Sequence, residues 1–174
     1  RLTEMAELND AGCVVFGQPD GLLPNLRVLM QAMRYASTFD FSVWLRPQEI
    51  SLTGGGVAHD GEVAARLGLL TIPVCAETIA ISNIILLATE TGVKVHLCRI
   101  SSAEGLMMIR AAKQRGLPIT CDVTINHLHL SDMDIGFFDS NCHLMPPLRG
   151  SEDRDALRQG LLNGTIDAVC SDHA

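Results

Sequence analysis

The chain has 174 residues, 47% of them hydrophobic and 19% charged, and carries a formal net charge of −7. That length and balance suit one soluble α/β domain with a buried core and exclude a disordered chain. The acidic excess, without any stripe of Lys and Arg, excludes a nucleic-acid surface, which must replace the counterions around phosphates.

Taken in chain order, Arg1-Leu2-Thr3-Glu4 lacks the basic-then-apolar order of a signal peptide, which points to a cytoplasmic protein. Cys13 to Phe16 reads as a short buried strand leading into a Gly17-to-Gly21 turn, and Leu23 to Tyr35 places Leu26, Leu29, Met30 and Met33 at helical spacing. Phe41 to Leu45 is the next strand. Gln48 to Asp60, with Gly54-Gly55-Gly56, reads as a long flexible loop; its glycines precede Val57-Ala58-His59, not the Gly-Lys-Ser/Thr start of a phosphate-binding helix. Glu62 to Leu67 and Glu77 to Glu90 are predicted helices. The apolar stretch from Ile79 to Ala88 is broken by Ser82 and Asn83 and is too short to cross a bilayer, so no membrane partner is expected.

Val93 to Ile100 is a third strand, followed by a helix from Ala103 to Arg115 that Ser102 caps and Gly116 closes. Pro118 to Val123 is a fourth strand. Thr124 to Arg149 reads as a loop carrying Pro146-Pro147, in which Asp132-Met133-Asp134 lacks the glycine and terminal glutamate of a calcium loop and reads as a solvated turn. Glu152 to Asn163 forms a helix ended by Gly164, and Ile166 to Ser171 is the fifth strand. Alternating strands and helices indicate parallel βα units, either an open sheet or an arc of a barrel. Six cysteines (Cys13, Cys75, Cys98, Cys121, Cys142, Cys170) without a CxxC pair read as reduced core thiols.

The residues at the predicted strand tips carry the candidate chemistry: Gln18, Arg46, Arg99, the Asn126-His127 pair, and Asp172-His173. An acid at the C-terminal tip of a buried strand stands where a β/α barrel keeps its catalytic groups. His96, mid-strand, reads as a satisfied core histidine. Arg46 and Arg99 also admit a plain reading as rim residues, with Asp172 as a helix cap.

Four segments in order resemble the dihydroorotases of the larger bacterial type, within the amidohydrolase superfamily: Val95 to Glu104, Val123 to Leu128, Pro146-Pro147-Leu148-Arg149, and Cys170 to Ala174. The resemblance implies a (β/α)8 barrel, of which the chain covers about five βα units, so that residues 1–174 form a partial barrel domain from a longer chain. It also implies hydrolysis or closure of the cyclic amide of dihydroorotate in pyrimidine biosynthesis, with one or two zinc ions activating water and the last-strand aspartate, Asp172, accepting its proton.

Against the family pattern, Arg46 and Arg99 stand where ligand histidines are expected. Gln18 stands at or beside the bridging carboxylate, with Asp20 as an alternative donor, and Met145 replaces a substrate-contacting asparagine. The family's His-x-His pair is missing from the sequence. A guanidinium has no lone pair to give a metal and repels it, so no metal is expected here. Arg46 and Arg99 would instead cluster around Asp172 in the old metal position. Asn126, His127, Met145, Arg149 and His173 are expected to line the pocket.

The resulting expectation is a metal-free, non-catalytic homologue that associates with aspartate transcarbamoylase and forms homo-oligomers. One alternative is an active zinc-dependent cyclic amidohydrolase using Asp20, His127, Asp172 and residues from further segments. Another is an anion-binding barrel acting through Arg46, Arg99 and Arg149 without chemistry. Five strands cannot close an eight-stranded barrel, so further sequence or a second chain is expected to cover the outer strands.

Overall fold

A computed structural model describes residues 4–18 and 25–172. In chain order its elements are α1 (Met5–Asp10), β1 (Val15–Gly17), α2 (Leu26–Thr38), β2 (Ser42–Leu45), β3 (Ala58–His59), α3 (Glu62–Leu67), β4 (Thr71–Ile72) and α4 (Cys75–Thr91). There follow β5 (Lys94–Leu97), α5 (Ala103–Gln114), β6 (Ile119–Thr124), α6 (Ile125–His129), α7 (Ser151–Leu162) and β7 (Ala168–Cys170). The Gly17-to-Gly21 turn, with Asp20, and the first residues of the helix predicted from Leu23 to Tyr35 extend outside the described residues, as does His173.

Helix boundaries follow local chemistry. Asn25 opens α2 by accepting the Arg27 N–H at 2.8 Å, and Ser102 opens α5 by accepting the Gly105 N–H at 3.0 Å. Gly92 ends α4 in the left-handed conformation, which a glycine adopts without steric cost. In α2 the buried residues Leu29, Ala32, Met33 and Ala36 recur at helical spacing and turn one face to the core.

Five strands form one parallel sheet in the order β1-β2-β5-β6-β7. The order never reverses, so each crossover advances in the same direction, as in an arc of a barrel and unlike a doubly wound sheet with its switch point. Alternation along the strands sends Val43, Leu45, Val95, Leu97, Ile119, Cys121 and Val123 into a core shared with α2, α4, α5 and α7. Trp44, His96, Thr120 and Asp122 lie on the opposite, inner face. Close helix contacts depend on two glycines: a Cβ on Gly105 would meet Glu77 Oε1 at 2.6 Å, and one on Gly160 would meet Leu106 Cδ2 at 2.5 Å.

The crossover between β2 and β5 contains an excursion that the residue pattern does not reveal. β3 and β4 pair as a parallel two-stranded ribbon around α3, and Ala58, Val63 and Ala64 pack with Ile135, Cys142 and Leu148 in a second small core. The predicted 48–60 loop therefore ends in a strand and includes a 3-10 turn at Ile50–Leu52. Two-residue strands whose partners lie 13 positions away leave no local periodicity. The predicted 124–149 loop likewise contains α6, begun when Thr124 accepts the His127 N–H, and two 3-10 turns.

Two further expectations are corrected. Asp132 is buried, not solvated, its N–H donating to the Arg149 carbonyl at 2.9 Å while Asp134 caps the turn through the Ser131 N–H. Of the six free thiols only Cys121 and Cys142 are buried; Cys98 and Cys170 are half-buried, and Cys13, which precedes β1, and Cys75, the first residue of α4, are exposed. Among the described residues no helix is long and apolar enough to cross a membrane.

Candidate functional site

Parallel strands place their C-terminal ends side by side, and the residues just beyond them converge. Gln18 follows β1, Arg46 follows β2, Arg99 lies two residues beyond β5, and Asp172 two beyond β7. Arg99 and Asp172 both have left-handed backbones, with φ of 59° and 51°. Each such residue costs about 1–3 kcal/mol and persists only where its surroundings hold it.

What holds them is visible. Arg99 Nη1 pairs with Asp172 Oδ1 at 3.0 Å and also donates to the Met145 carbonyl at 3.4 Å, while the Arg99 N–H donates to Asp122 Oδ1 at 2.7 Å. The Asp172 side chain is only 14% exposed, so the pair is far better shielded than a surface ion pair.

Asp122 anchors the neighbourhood from the inner face of β6. Its Oδ2 bonds His96 Nε2 at 2.9 Å, and its Oδ1 also accepts from the Cys170 thiol at 3.5 Å. Burial pushes the Asp122 carboxyl up, but hydrogen bonds from His96 and the Arg99 N–H, with the His96 charge, outweigh it and hold it below the ordinary range. Burial and the Asp122 charge push the Cys98 thiol up to about 11 and the Cys170 thiol to about 12. His96 is satisfied as expected, its Nδ1 bonded to Thr120 Oγ1 at 2.7 Å.

Arg46 is half-buried and lines one narrow cleft of about 10 Å³ with Gln48, Glu77, Arg99, Pro146, Pro147 and Arg149. Met145 stands at its edge, with Gln48 Nε2 against its sulfur at 3.0 Å. A larger cleft of about 200 Å³, lined by Val57, Leu69, Ile135, Phe138, Asp139 and His143, lies beside the small second core and shares no lining residue with the first.

Arg149 is 3% exposed and is bound by structure. Its Nε donates to Ser101 Oγ at 3.2 Å, and its Nη1 donates to the Ile72 carbonyl at 2.7 Å and lies 3.2 Å from His59 Nδ1. Beneath it sits Glu77, also 3% exposed, accepting the N–H groups of Ser101 and Ser102 at 3.0 and 3.1 Å, the Ser102 hydroxyl at 2.6 Å, and the Ser101 hydroxyl. Sequence reasoning missed Glu77; the available signal was one carboxylate within an otherwise apolar helical face, a placement that demands buried partners.

His127 is buried with both ring nitrogens engaged, by Thr124 Oγ1 at 2.7 Å and by the Pro147 carbonyl at 3.2 Å. Burial lowers its pKa and the imidazole stays neutral. It holds the Pro146-Pro147 loop in place and is not available as a ligand. Asn126 is half-buried on α6, and Gln18 lines a separate cleft with Arg46, Gln48 and Glu49. Asp20 and His173 lie outside the described residues.

The donors at the tips do not fit zinc. Arg46 and Arg99 have no lone pair to give, Asp172 is held by Arg99, and His127 is occupied on both sides. Among the described residues one trio of ligand-type side chains does converge, His96, Cys98 and Asp122, further down the inner face.

Residues 1–105 match a family model described as Dihydro-orotase-like. A Dihydroorotase-like protein of Pseudomonas putida is 43% identical over 173 residues, covering 99% of this chain and 41% of that protein. A Dihydroorotase-like protein of Pseudomonas aeruginosa and a Dihydroorotase of Bacillus caldolyticus are each 41% identical over 173 residues, with 99% of this chain covered and 41% and 40% of theirs. The chain thus spans about two fifths of the length of these curated relatives. Among solved structures, an L-Hydantoinase (Dihydropyrimidinase) from Arthrobacter aurescens superposes with a TM-score of 0.83 at 22% identity, covering 98% of this chain and 40% of that one. A Dihydroorotase from Campylobacter jejuni gives 0.72 at 14% identity, covering 98% and 47%. These two likenesses concern the fold alone.

Proposed function

The chain belongs to the dihydroorotase-like family of the amidohydrolase superfamily, its fold a partial (β/α)8 barrel, and from that premise we propose that it is a metal-free, non-catalytic homologue serving pyrimidine biosynthesis as a partner of aspartate transcarbamoylase. The observation that carries the reading is the ion pair between Arg99 and Asp172 at 3.0 Å. A last-strand aspartate that takes a proton from water needs a free oxygen and a nearby Lewis acid. Here a guanidinium, permanently protonated, stands against that oxygen and replaces the acid with a cation that cannot coordinate.

A partner surface is supported on the outer helices. Leu86 on α4 and Met107 on α5 are 65% and 64% exposed, and Ile79 on α4 is also exposed. Adjacent helices with exposed apolar side chains suit association with another protein or with a second copy of the chain.

Two measurements test the reading. Dihydroorotate turnover assayed with and without added zinc is expected to stay at background; chelator-sensitive turnover would instead establish a zinc-dependent cyclic amidohydrolase. Mixing with aspartate transcarbamoylase is expected to raise the scattering mass of the pair, and unchanged mass would remove the partner from the proposal.

A second reading, an anion-binding barrel without chemistry, draws on Arg46, Arg99 and Arg149 lining one cleft, although that cleft of about 10 Å³ has room for little more than a water. It is weakened by the partners that Arg99 and Arg149 already have. A thermal shift induced by such anions and indifferent to metal would select it.

A further inference from the structure

The excursion between β2 and β5 and the connection between α6 and α7 meet around the cleft of about 200 Å³, which the strand-tip chemistry does not use. Val57, just before β3, and Leu69, two residues before β4, give it apolar walls together with Ile135 and Phe138. Asp139, Ser140 and His143 supply its polar groups. We propose that this cleft binds a small primary amine carrying one aromatic ring, with the ring against the apolar walls and the ammonium on Asp139.

Size and shape set the ring. An apolar cavity of about 150 Å³ accommodates a benzene molecule, so the cleft has room for one ring with a short chain. Phe138 stands on its wall with a left-handed backbone, φ 65°, a state in which a bulky residue persists only where its surroundings hold it and which gathers at ligand clamps. The Phe137 ring meets it edge-on, with centroids 5.6 Å apart and planes at 80°. More than half of Phe138 and nearly all of Phe137 nevertheless remain in water, at 53% and 92% exposure. An aromatic face is thus left beside the cleft for a ligand ring to cover.

Charge sets the head group. Asp139 Oδ1 accepts the Asn141 N–H and side-chain amide at 2.9 Å each, whereas its Oδ2 accepts no hydrogen bond among the described residues. That oxygen is open to a charge-assisted bond from an ammonium. Burial, and then the charges of Asp139 and Asp134, push up the thiol of Cys142, which also lines the cleft, so its lining lies in a negative field. Among the described residues no Lys or Arg lines the cleft, and the chain as a whole carries −7. A cation is drawn in and a carboxylate or phosphate is turned away. The His143 imidazole offers an acceptor for a second ammonium hydrogen.

This site shares no lining residue with the strand-tip cleft, so its test stands whatever the outcome with dihydroorotate or aspartate transcarbamoylase. The chain, labelled with nitrogen-15, is titrated with 2-phenylethylamine and followed by amide correlation spectra. Saturable shifts are expected at residues 57–69 and 135–143 and not at the strand tips. 3-Phenylpropionate, with the same ring and chain but the opposite charge, is expected to bind at least about tenfold more weakly, and ethylamine, which lacks the ring, not to saturate. Asp139→Asn keeps the Oδ1 that Asn141 needs; it weakens the amine about tenfold and leaves the neutral 2-phenylethanol unchanged. Val57→Phe fills the cleft and abolishes binding of both. The same spectra report folding, and if Val57→Phe fails to fold, Asp139→Asn decides. Absence of saturation, shifts centred on the strand tips, equal binding of 3-phenylpropionate or ethylamine, or unchanged amine affinity in Asp139→Asn overturns the proposal.

Discussion

A buried charge is tolerated only when every oxygen or N–H it presents finds a partner, and Glu77 meets that condition against the start of α5. Glu77→Ala strips four donors of their acceptor and leaves Arg149 without its nearest buried counter-charge, so we expect a loss of about 3–5 kcal/mol in denaturant unfolding. Asp122→Asn, which removes the charge but keeps the shape, is expected to cost about 1.5–3 kcal/mol by the same measurement. The histidines set a pH dependence. The pKa values of His59 and His127 are lowered in the folded state, chiefly by burial, with Arg149 adding to the effect. Their neutral forms are therefore favoured on folding, and the stability this contributes is present above the unfolded value of about 6.5 and is lost as pH falls below it. Unfolding followed from pH 8 to pH 5 should show that decline, and His59→Gln should flatten part of it. At this scale the sequence brought Arg99 and Asp172 to the same end of the sheet, because both residues follow predicted parallel strands. It did not expose the ties of Arg149 to His59 and Ile72, whose sequence separations of 90 and 77 only folding closes.

The elements themselves were largely legible, since a strand of alternating or wholly apolar residues and a capped amphipathic helix each announce themselves within a dozen positions. All five predicted strands form, although β5 is shorter than the stretch from Val93 to Ile100 because the chain turns into the left-handed Arg99. β3, β4 and α6 were not legible: their stabilising contacts come from a second small core assembled by distant loops, or from a single threonine cap. Helix packing also overrides local propensity at Gly105. Propensity alone favours Gly105→Ala by about 1 kcal/mol. In the fold the new Cβ would meet Glu77 Oε1 at 2.6 Å, Ile81 Cδ1 at 2.8 Å and Ser102 Oγ at 2.9 Å, atoms already committed to the buried network. Net destabilisation of about 1–3 kcal/mol is expected in thermal or denaturant melts.

For the whole molecule, the barrel arc separates two tasks. Its inner face and strand tips hold ionisable groups bound to one another, and its outer helices expose apolar side chains to contact. Leu86→Glu combined with Met107→Glu should leave unfolding within about 0.5 kcal/mol of the parent, because both side chains are mostly in water. The same double variant should abolish the mass increase on mixing with aspartate transcarbamoylase, measured by light scattering.

The sequence by itself determined the alternation of five parallel strands with helices, which is a property of residue type and short-range period. The resemblance to the dihydroorotases then implied the barrel arc and marked Arg46 and Arg99 as standing where metal ligands were expected. Only the tertiary structure decided that Arg99 reaches Asp172, that Arg149 is consumed by structural bonds, and that His96, Cys98 and Asp122 converge. Those outcomes depend on register between strands and on distances of a few ångströms between residues far apart in the chain, and local pattern carries neither.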